Sequence, residues 1–329
     1  MNKLLSIASL AALAVSAPAL AQETEKTEFP SPNAIVDAAP ASDWVKMAPS
    51  DLLVMDLAPG AEGNARRVVI QLMPEPFSQG WIRNIRKLAE AKFWDGTSIN
   101  RVQDNYVVQW GDAGYDNPES GETEQKALPD GLETVPESEY LSKLTPIDGE
   151  SSNIDNSDPA SDAKEGYRDD AYGTALFGLG WPLGSGNNSL WPIHCYGAVG
   201  VGRNYSPDTG SGAELYTVIG HAPRHLDRNI AVVGRIIEGI EYLSSLPRGK
   251  GQLGFYEDAS KRVPISSIRL GDALDEDPAP AFEYLNTESK VFAKYADARA
   301  NRRDPFFIKP AGGADICNIP VPVRRVSGE

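Results

Sequence analysis

The residues suited to nucleophilic or metal chemistry are few in this chain, which contains three histidines and two cysteines. The spacing of His194, His221 and His225 matches no metal-ligand pattern. His194 and Cys195 are adjacent in sequence, so their side chains point in different directions, and no third group that would orient them is evident. We therefore predict neither a metal site nor a Cys/His nucleophile, and no cofactor.

Two further patterns could bind ligands. Gly249–Gly254 has the sequence GKGQLG, which fits G-x-G-x-x-G, but it follows a predicted helix rather than a strand, so a plain turn is favoured over dinucleotide binding. The acidic stretch Asp155–Asp158 lacks the alternating ligand spacing of an EF-hand loop. We interpret it as a solvated loop.

A stronger signal lies in five separated segments. They are Asp95–Val102 (DGTSINRV), Tyr106–Asp112 (YVVQWGD), Gly212–Val218 (GAELYTV), His225–Asn229 (HLDRN) and Val233–Gly239 (VGRIIEG). In order and spacing they resemble the D-G-T-x-F-H-R-V, F-M-x-Q-G-G-D, G-S-Q-F-F-I-x, W-L-D-G-K and F-G-x-V-x-x-G segments of the cyclophilins, which are peptidyl-prolyl cis/trans isomerases. The resemblance covers roughly residues 51–274, apart from a long insertion.

The resemblance implies a reaction that requires neither a nucleophile nor a metal. Amide resonance opposes rotation with a barrier of ~18–20 kcal/mol, and a catalyst must bind the twisted amide more tightly than the planar one. In the twisted state the proline nitrogen regains a lone pair, which a fixed guanidinium can stabilise. By resemblance Arg101 is that donor, and Gln109 holds the substrate backbone or orients Arg101.

The remaining site residues are also implied by the resemblance. The walls of the proline pocket would be Tyr106, Val107, Tyr216 and Leu226, the backbone of Gly202 and Arg203 would pair with the bound peptide, and His225 would line the rim. Each has a structural alternative. Arg101 and His225 could be surface residues, Gln109 an internal hydrogen-bonding group, and the four wall residues ordinary core.

The chain departs from the family pattern at several positions. Glu214 replaces the usual glutamine, Leu215 and Tyr216 replace two phenylalanines, Trp110 replaces a glycine, Asn100 replaces a histidine, and Ile230 stands where histidine or tyrosine is frequent. His225 replaces a tryptophan, which predicts weak cyclosporin binding. We therefore keep three hypotheses: an isomerase, a weak or inactive proline-peptide-binding or chaperone module, and a structural partner protein whose insertion and C-terminal helix form the interface.

The elements that must position these residues are mostly strands. Apolar runs predict strands at 52–55, 68–72, 98–102, 106–110, 198–201, 215–219, 231–233 and 263–270. Three helices are predicted. The first begins after Ser78 as N-cap, has Trp81, Ile85, Leu88 and Ala89 on one face, and ends at Asp95-Gly96. The second covers 238–246, and the third lies around Val291, Phe292 and Tyr295. The fold class is mainly β: a closed antiparallel barrel capped by two helices, with a long loop insertion and a C-terminal helical extension.

The domain organisation follows from composition. Lys3, an apolar run from Leu4 to Val15 and Ala19-Leu20-Ala21 predict a signal peptide over 1–21. We expect a linker over 22–50, the barrel domain over 51–274 with the insertion at 113–195, and the extension over 275–329. The protein is then exported, in a periplasm, with no later membrane-spanning segment.

Charge and cysteine content limit the partners. The formal net charge of -15 argues against nucleic acid and anionic lipid, and proline-containing polypeptides are the expected partners. In an oxidising compartment Cys195 and Cys317 predict a disulfide, with two buried free thiols as the alternative.

Overall fold

The computed structural model describes residues 29–115, 117–143, 167–274 and 280–326. The strands in these ranges are β1 (Trp44–Lys46), β2 (Leu52–Leu57), β3 (Arg66–Leu72), β4 (Ser98–Val102), β5 (Val107–Gly111), β6 (Ser142–Lys143), β7 (Asp169–Asp170), β8 (Gly173–Gly178), β9 (Trp181–Gly186), β10 (Ser189–Pro192), β11 (Ala198–Val201), β12 (Leu215–Val218), β13 (Val232–Glu238), β14 (Val263–Leu270), β15 (Phe282–Leu285) and β16 (Val323–Arg325). The α-helices are α1 (Pro32–Asp37), α2 (Gln79–Glu90), α3 (Glu241–Ser244) and α4 (Lys290–Ala300).

Eight strands of the described part of the chain close into an antiparallel barrel, in the order β11-β12-β5-β4-β14-β2-β3-β13. They form where branched apolar residues concentrate, as in β2 and β3, where Leu53 pairs with Ile70 and Val54 with Val69. All four of these side chains are buried. The barrel confirms the predicted fold class, and its adjacent strands β4, β5 and β12 carry three of the five segments that resemble the cyclophilins.

Helix α2 packs against the barrel through the predicted face, and Trp81, Ile85 and Leu88 are fully buried. Ser78 stands at the N-cap position, but its side chain does not cap the helix, because its hydroxyl donates to the Val232 carbonyl at 2.8 Å. The helix ends at Glu90 rather than at Asp95-Gly96. The helix predicted at 238–246 is shorter as well: its first residue belongs to β13, and α3 is a single turn.

The insertion contains a sheet that the sequence analysis did not predict. Strands β6-β10-β9-β8-β7 form it, while the part from 112 to 141 contains only short 3₁₀ turns within the described residues. The strands are rich in glycine, which hid them from a propensity argument: a Cβ on Gly184 would lie 2.3 Å from Nε1 of Trp191. Trp181 and Leu183 join the barrel core, so this sheet packs on the barrel. The segment Asp155–Asp158 lies outside the described residues.

The two ends of the described chain associate with each other. Strand β15 pairs with both β1 and β16, and α1 packs on α4. Residues 29–50, for which we expected a linker, therefore contain α1 and β1. Phe292 and Tyr295 of α4 are buried in this second core, so the apolar stripe of that helix is covered by the chain itself.

Cys195 and Cys317 form the predicted disulfide, with a Cα–Cα distance of 5.1 Å. The bond joins the segment before β11 to the segment before β16. The alternative of two free thiols is therefore wrong. Among the helices of the described ranges, none has the length and apolar character needed to cross a bilayer.

Candidate functional site

Arg101 lies on β4, and acceptors from three places hold its guanidinium. Nε donates to the Leu253 carbonyl at 2.7 Å, Nη1 donates to Gln109 Oε1 at 3.2 Å, and Nη2 donates to the Gln103 side chain. The rings of Tyr106 and Phe255 lie 5.8 and 5.6 Å from its central carbon. Burial lowers the pKa of Arg101 from its usual value. The cation is thus held in one orientation in a partly desolvated place.

Gln109 lies on β5, opposite Arg101 in the β4–β5 register and opposite Tyr216 in the β5–β12 register. Its side chain is buried, and its amide orientation is set by its neighbours. Nε2 donates to Asn117 Oδ1 at 3.1 Å, which leaves Oε1 to accept from Arg101. Gln109 therefore contacts the guanidinium directly, and its two predicted roles, orienting Arg101 or holding the substrate backbone, stay predictions.

A cavity of about 600 Å³ opens beside Arg101. It is lined by the predicted residues Arg101, Tyr106, Val107, Gln109, Gly202, Arg203, Tyr216 and Leu226. His225 is not among its lining residues; its ring stacks on the outer side of Tyr106 with centroids 6.3 Å apart. The backbone N–H of Gly202 donates to the Glu214 carbonyl at 2.9 Å. Pairing of the Gly202 and Arg203 backbone with a peptide stays a prediction.

Sequence reasoning missed part of this cavity. Tyr115, Asn117, Pro118 and Glu119 reach it from the insertion, and Leu253 and Phe255 reach it from the turn after α3. Leu253 belongs to the GKGQLG segment, for which a plain turn was predicted. This turn also contributes to the site, because its Leu253 carbonyl accepts a hydrogen bond from Arg101. Nothing in the periodicity of these loops marks them, although the aromatic residues Tyr115 and Phe255 are a weak signal.

Tyr216 forms the wall of the cavity opposite the solvent and begins a buried chain of polar contacts. Asp227 Oδ1 lies 2.9 Å from His194 Nδ1, and His194 Nε2 lies 2.9 Å from the Tyr216 hydroxyl. Because a carboxylate only accepts, the imidazole donates from Nδ1, and its Nε2 contacts the tyrosine hydroxyl, which can donate or accept. Burial raises the pKa of Tyr216 well above its usual value. A Cβ on Gly200 would lie 2.4 Å from this hydroxyl, so the glycine makes room for it.

The polar chain continues into the insertion sheet. Arg224 Nε donates to Asp227 Oδ2 at 2.6 Å, and Arg224 Nη1 donates to Asp170 Oδ2 at 2.7 Å. Asp227 is fully buried and Arg224 nearly so. These polar contacts link Asp170 on β7 to Tyr216 in the wall of the cavity. They also explain why His194 and Cys195 form no nucleophilic pair, since the histidine is fully engaged and the cysteine is oxidised.

Glu214 is the buried carboxyl of the site, only 4% exposed. Oε2 lies 3.3 Å from Asn117 Nδ2 and 3.5 Å from Gln109 Nε2. Burial raises the pKa of Glu214 well above its usual range, and the hydrogen bonds from Gln109 and Asn117 act in the opposite direction. The carboxyl therefore sits behind Gln109, which in turn holds Arg101.

The sequence and the fold of this chain are similar to those of known proteins. The sequence matches the family described as cyclophilin type peptidyl-prolyl cis-trans isomerase/CLD over residues 62–270. The chain is similar in structure to cyclophilin AquaCyp293 from Hirschia baltica, with 20% identity and a TM-score of 0.59 over 87% of this chain and 94% of that chain. It is also similar to a Cryptosporidium parvum cyclophilin type peptidyl-prolyl cis-trans isomerase studied in the presence of the dipeptide Ala-Pro, with 10% identity and a TM-score of 0.36 over 66% of this chain and 98% of that one. No curated protein matches the chain.

Proposed function

Because this chain belongs to the cyclophilin-type peptidyl-prolyl cis-trans isomerase family, we propose that it accelerates rotation about X-Pro bonds in polypeptides. The family and the barrel fold support this activity. One observation carries the proposal for this chain: Arg101 is fixed beside a cavity whose walls include the apolar side chains of Val107 and Leu226.

The geometry suits stabilisation of a twisted amide. A guanidinium has five N–H donors, and the three acceptors around Arg101 in the described part of the chain use three of them, one on each nitrogen. One N–H therefore remains on each of Nη1 and Nη2. With the proline ring in the cavity, such a donor binds the pyramidal nitrogen of the twisted state and finds no lone pair on the planar one.

The size of this effect can be estimated from other fixed donors. Removing one donor that acts on the transition state alone costs about 10²–10³-fold in rate. Because the donor is already oriented by Gln103, Gln109 and Leu253, no reorganisation is needed when the amide twists. Because substrate binding depends on the apolar walls of the cavity, removal of Arg101 should reduce the affinity for substrate less than it reduces the rate.

The experiment is a refolding assay limited by a proline isomerisation step, made with the mature protein, Arg101→Ala and the control Arg83→Ala. Arg83 is an exposed arginine of α2 paired with Glu133. We expect Arg101→Ala to lose about 10²-fold or more in kcat/KM and the control to keep the wild-type rate. Equal rates for wild type and Arg101→Ala would contradict the proposal.

We further propose that the substrates are exported proteins and that the enzyme acts in a periplasm. Two features support this: the signal-like segment over 1–21, and the disulfide, which is typical of oxidising compartments. Fractionation of cells that express the full chain or a chain lacking 2–21 tests it. We expect the full chain outside the cytoplasm, beginning at Gln22, and the shortened chain inside. A full chain that stays in the cytoplasm with its first residues intact would overturn the proposal.

A second candidate function is proline-peptide binding or chaperone activity without useful turnover. The altered residues favour it: Glu214 stands behind Gln109, and His225 lies outside the cavity lining. It predicts chemical-shift changes at Tyr106 and Tyr216 when a proline peptide is added, with no exchange broadening of the peptide's own cis and trans signals. Exchange broadening would decide for the isomerase.

A further inference from the structure

The proposed activity leaves one buried ionisable group without a role. Glu214 lines the cavity, and its Oε1 accepts from no side chain of the described residues, although the Asp112 backbone N–H lies close enough to favour the charged carboxyl. The carboxyl lies over the backbone of Gly111, where a Cβ would come within 1.9 Å of Oε1. Gly111 has φ +146, which favours a glycine, and the absence of a side chain at Gly111 leaves the space that the carboxyl occupies.

Glu214 stands at the end of a short chain of contacts that leads to the guanidinium. Its Oε2 accepts from Gln109 and Asn117, while Gln109 also donates to Asn117. Asn117 is itself fixed, because its Nδ2 donates to the Tyr115 carbonyl at 2.7 Å. These acceptors hold the Gln109 amide so that its oxygen faces Arg101. A change at Glu214 is therefore transmitted to Arg101 through a single side chain.

The charge state of Glu214 decides whether these contacts between Glu214, Gln109 and Arg101 are maintained. No cation of the described ranges pairs with the carboxyl, and a buried charge without a partner is costly, so the neutral acid is the favoured form. The ionisable groups that act on it or line the same cavity are Asp112, Tyr106, Tyr115, Tyr205, Tyr216, Glu119, Asp208, Arg101 and Arg203. The negative charge of Asp112 also opposes ionisation, whereas the hydrogen bonds from Gln109, Asn117 and the Asp112 backbone favour the charged form; burial is the largest effect and raises the pKa of Glu214. An ionised Glu214 would draw water or Arg101 toward itself.

We propose that Glu214 is a positioning residue that works as the neutral acid, holding Gln109 and through it Arg101, and that ionisation of Glu214 displaces the guanidinium and reduces isomerase activity. The inference rests on the proposed function. The isomerase activity would then depend on pH, although the substrate neither gains nor loses a proton in the reaction.

The first test is the pH profile of kcat/KM between about pH 5 and about pH 9, above the usual carboxyl range and below that of tyrosine. We expect the wild-type value to fall by about tenfold or more as Glu214 ionises, which is within the cost of misplacing a catalytic group. Glu214→Gln, which keeps the shape without the charge, should give a flat profile. Thermal unfolding of both proteins at each pH checks that both stay folded.

Two outcomes of this assay would overturn the inference without touching the proposed function. An active wild type with a flat profile is one. The other is a pH dependence that persists in Glu214→Gln and disappears in His225→Gln, because the titrating group would then be the histidine at the rim. Absence of activity at every pH in both proteins would count against the proposed function instead.

A second measurement does not depend on turnover. In the NMR spectrum, the ¹³C signal of the Glu214 carboxyl and the ¹⁵N–¹H signals of the Arg101 guanidinium are followed over the same pH range. We expect them to shift together, with a common midpoint above the usual range for glutamate. A Glu214 signal that titrates in the ordinary range, or Arg101 signals that do not follow it, would contradict the inference.

Discussion

Arg101 is held by acceptors from both near and distant parts of the sequence. Gln103 and Gln109 follow it closely, whereas Leu253 belongs to a turn more than a hundred residues later. A long side chain held in this way has already lost its rotational freedom before substrate arrives. The same holds for Gln109, which is fixed by Asn117 and Glu214. Fixed orientation is what selective binding of a twisted amide requires.

The buried Glu214 carboxyl leads to a prediction about stability. Its pKa is raised in the folded state, so the folded protein keeps a proton that the unfolded chain releases above about pH 4.3. Folding stability therefore decreases as the pH rises from that value toward the folded-state pKa. Glu214→Gln lacks this loss. Urea unfolding of both proteins at several pH values should show the variant gaining relative to wild type as the pH rises.

The matched control is Glu119→Gln, at a carboxyl on the same cavity that is only partly buried. Its unfolding free energy should follow that of wild type at every pH. A constant difference between Glu214→Gln and wild type across the pH range would mean that the Glu214 carboxyl titrates alike in both states, contrary to the burial seen in the structure.

At the scale of the elements, the polar chain from Tyr216 to Asp170 ties the insertion sheet to the barrel. Asp170 is 8% exposed and pairs with Arg224, whose other partner is Asp227. Removing one partner of a buried ion pair leaves the other charge poorly compensated. We expect Asp170→Asn to lower the unfolding free energy by about 3 kcal/mol, as measured by chemical denaturation.

The neighbouring Asp169→Asn is the control, because that side chain is exposed. It should change stability by no more than about 0.5 kcal/mol. If both variants were equally stable, the link between the insertion and the barrel would carry little of the folding free energy.

Sequence reasoning succeeded where strands carry the site. Arg101, Gln109, Tyr106 and Tyr216 belong to segments whose order and spacing resemble a known family, and the two-residue period of a strand then fixes which face each strand side chain occupies. It failed for Leu253 and Asn117, which lie in loops with no period. The sheet of the insertion was missed for a related reason, since strands β8 and β9 each contain two glycines among six residues, and glycine is a poor strand former. The N-terminal segment was taken for a linker because α1 and β1 are too short to produce a periodic signal.

At the scale of the whole molecule, the disulfide closes a long loop around the second half of the barrel. The two cysteines are 122 residues apart in sequence. A loop of this length corresponds to about 4–5 kcal/mol in the chain-entropy model. We expect reduction, or Cys195→Ser with Cys317→Ser, to lower the denaturation midpoint accordingly, with the isomerase activity of the folded fraction retained because the bond lies outside the cavity lining. An unchanged midpoint would contradict this.

The central claim is that Arg101 binds the twisted X-Pro bond more tightly than the planar one, and NMR exchange spectroscopy on a proline peptide tests it most directly. One titration gives both the affinity and the catalysed cis/trans exchange rate, for wild type and for Arg101→Ala. The account predicts that the variant binds the peptide within about threefold of the wild-type affinity but loses about 10²-fold in exchange rate. An exchange rate that is unchanged in the variant, or that falls only in proportion to a loss of binding, would contradict it.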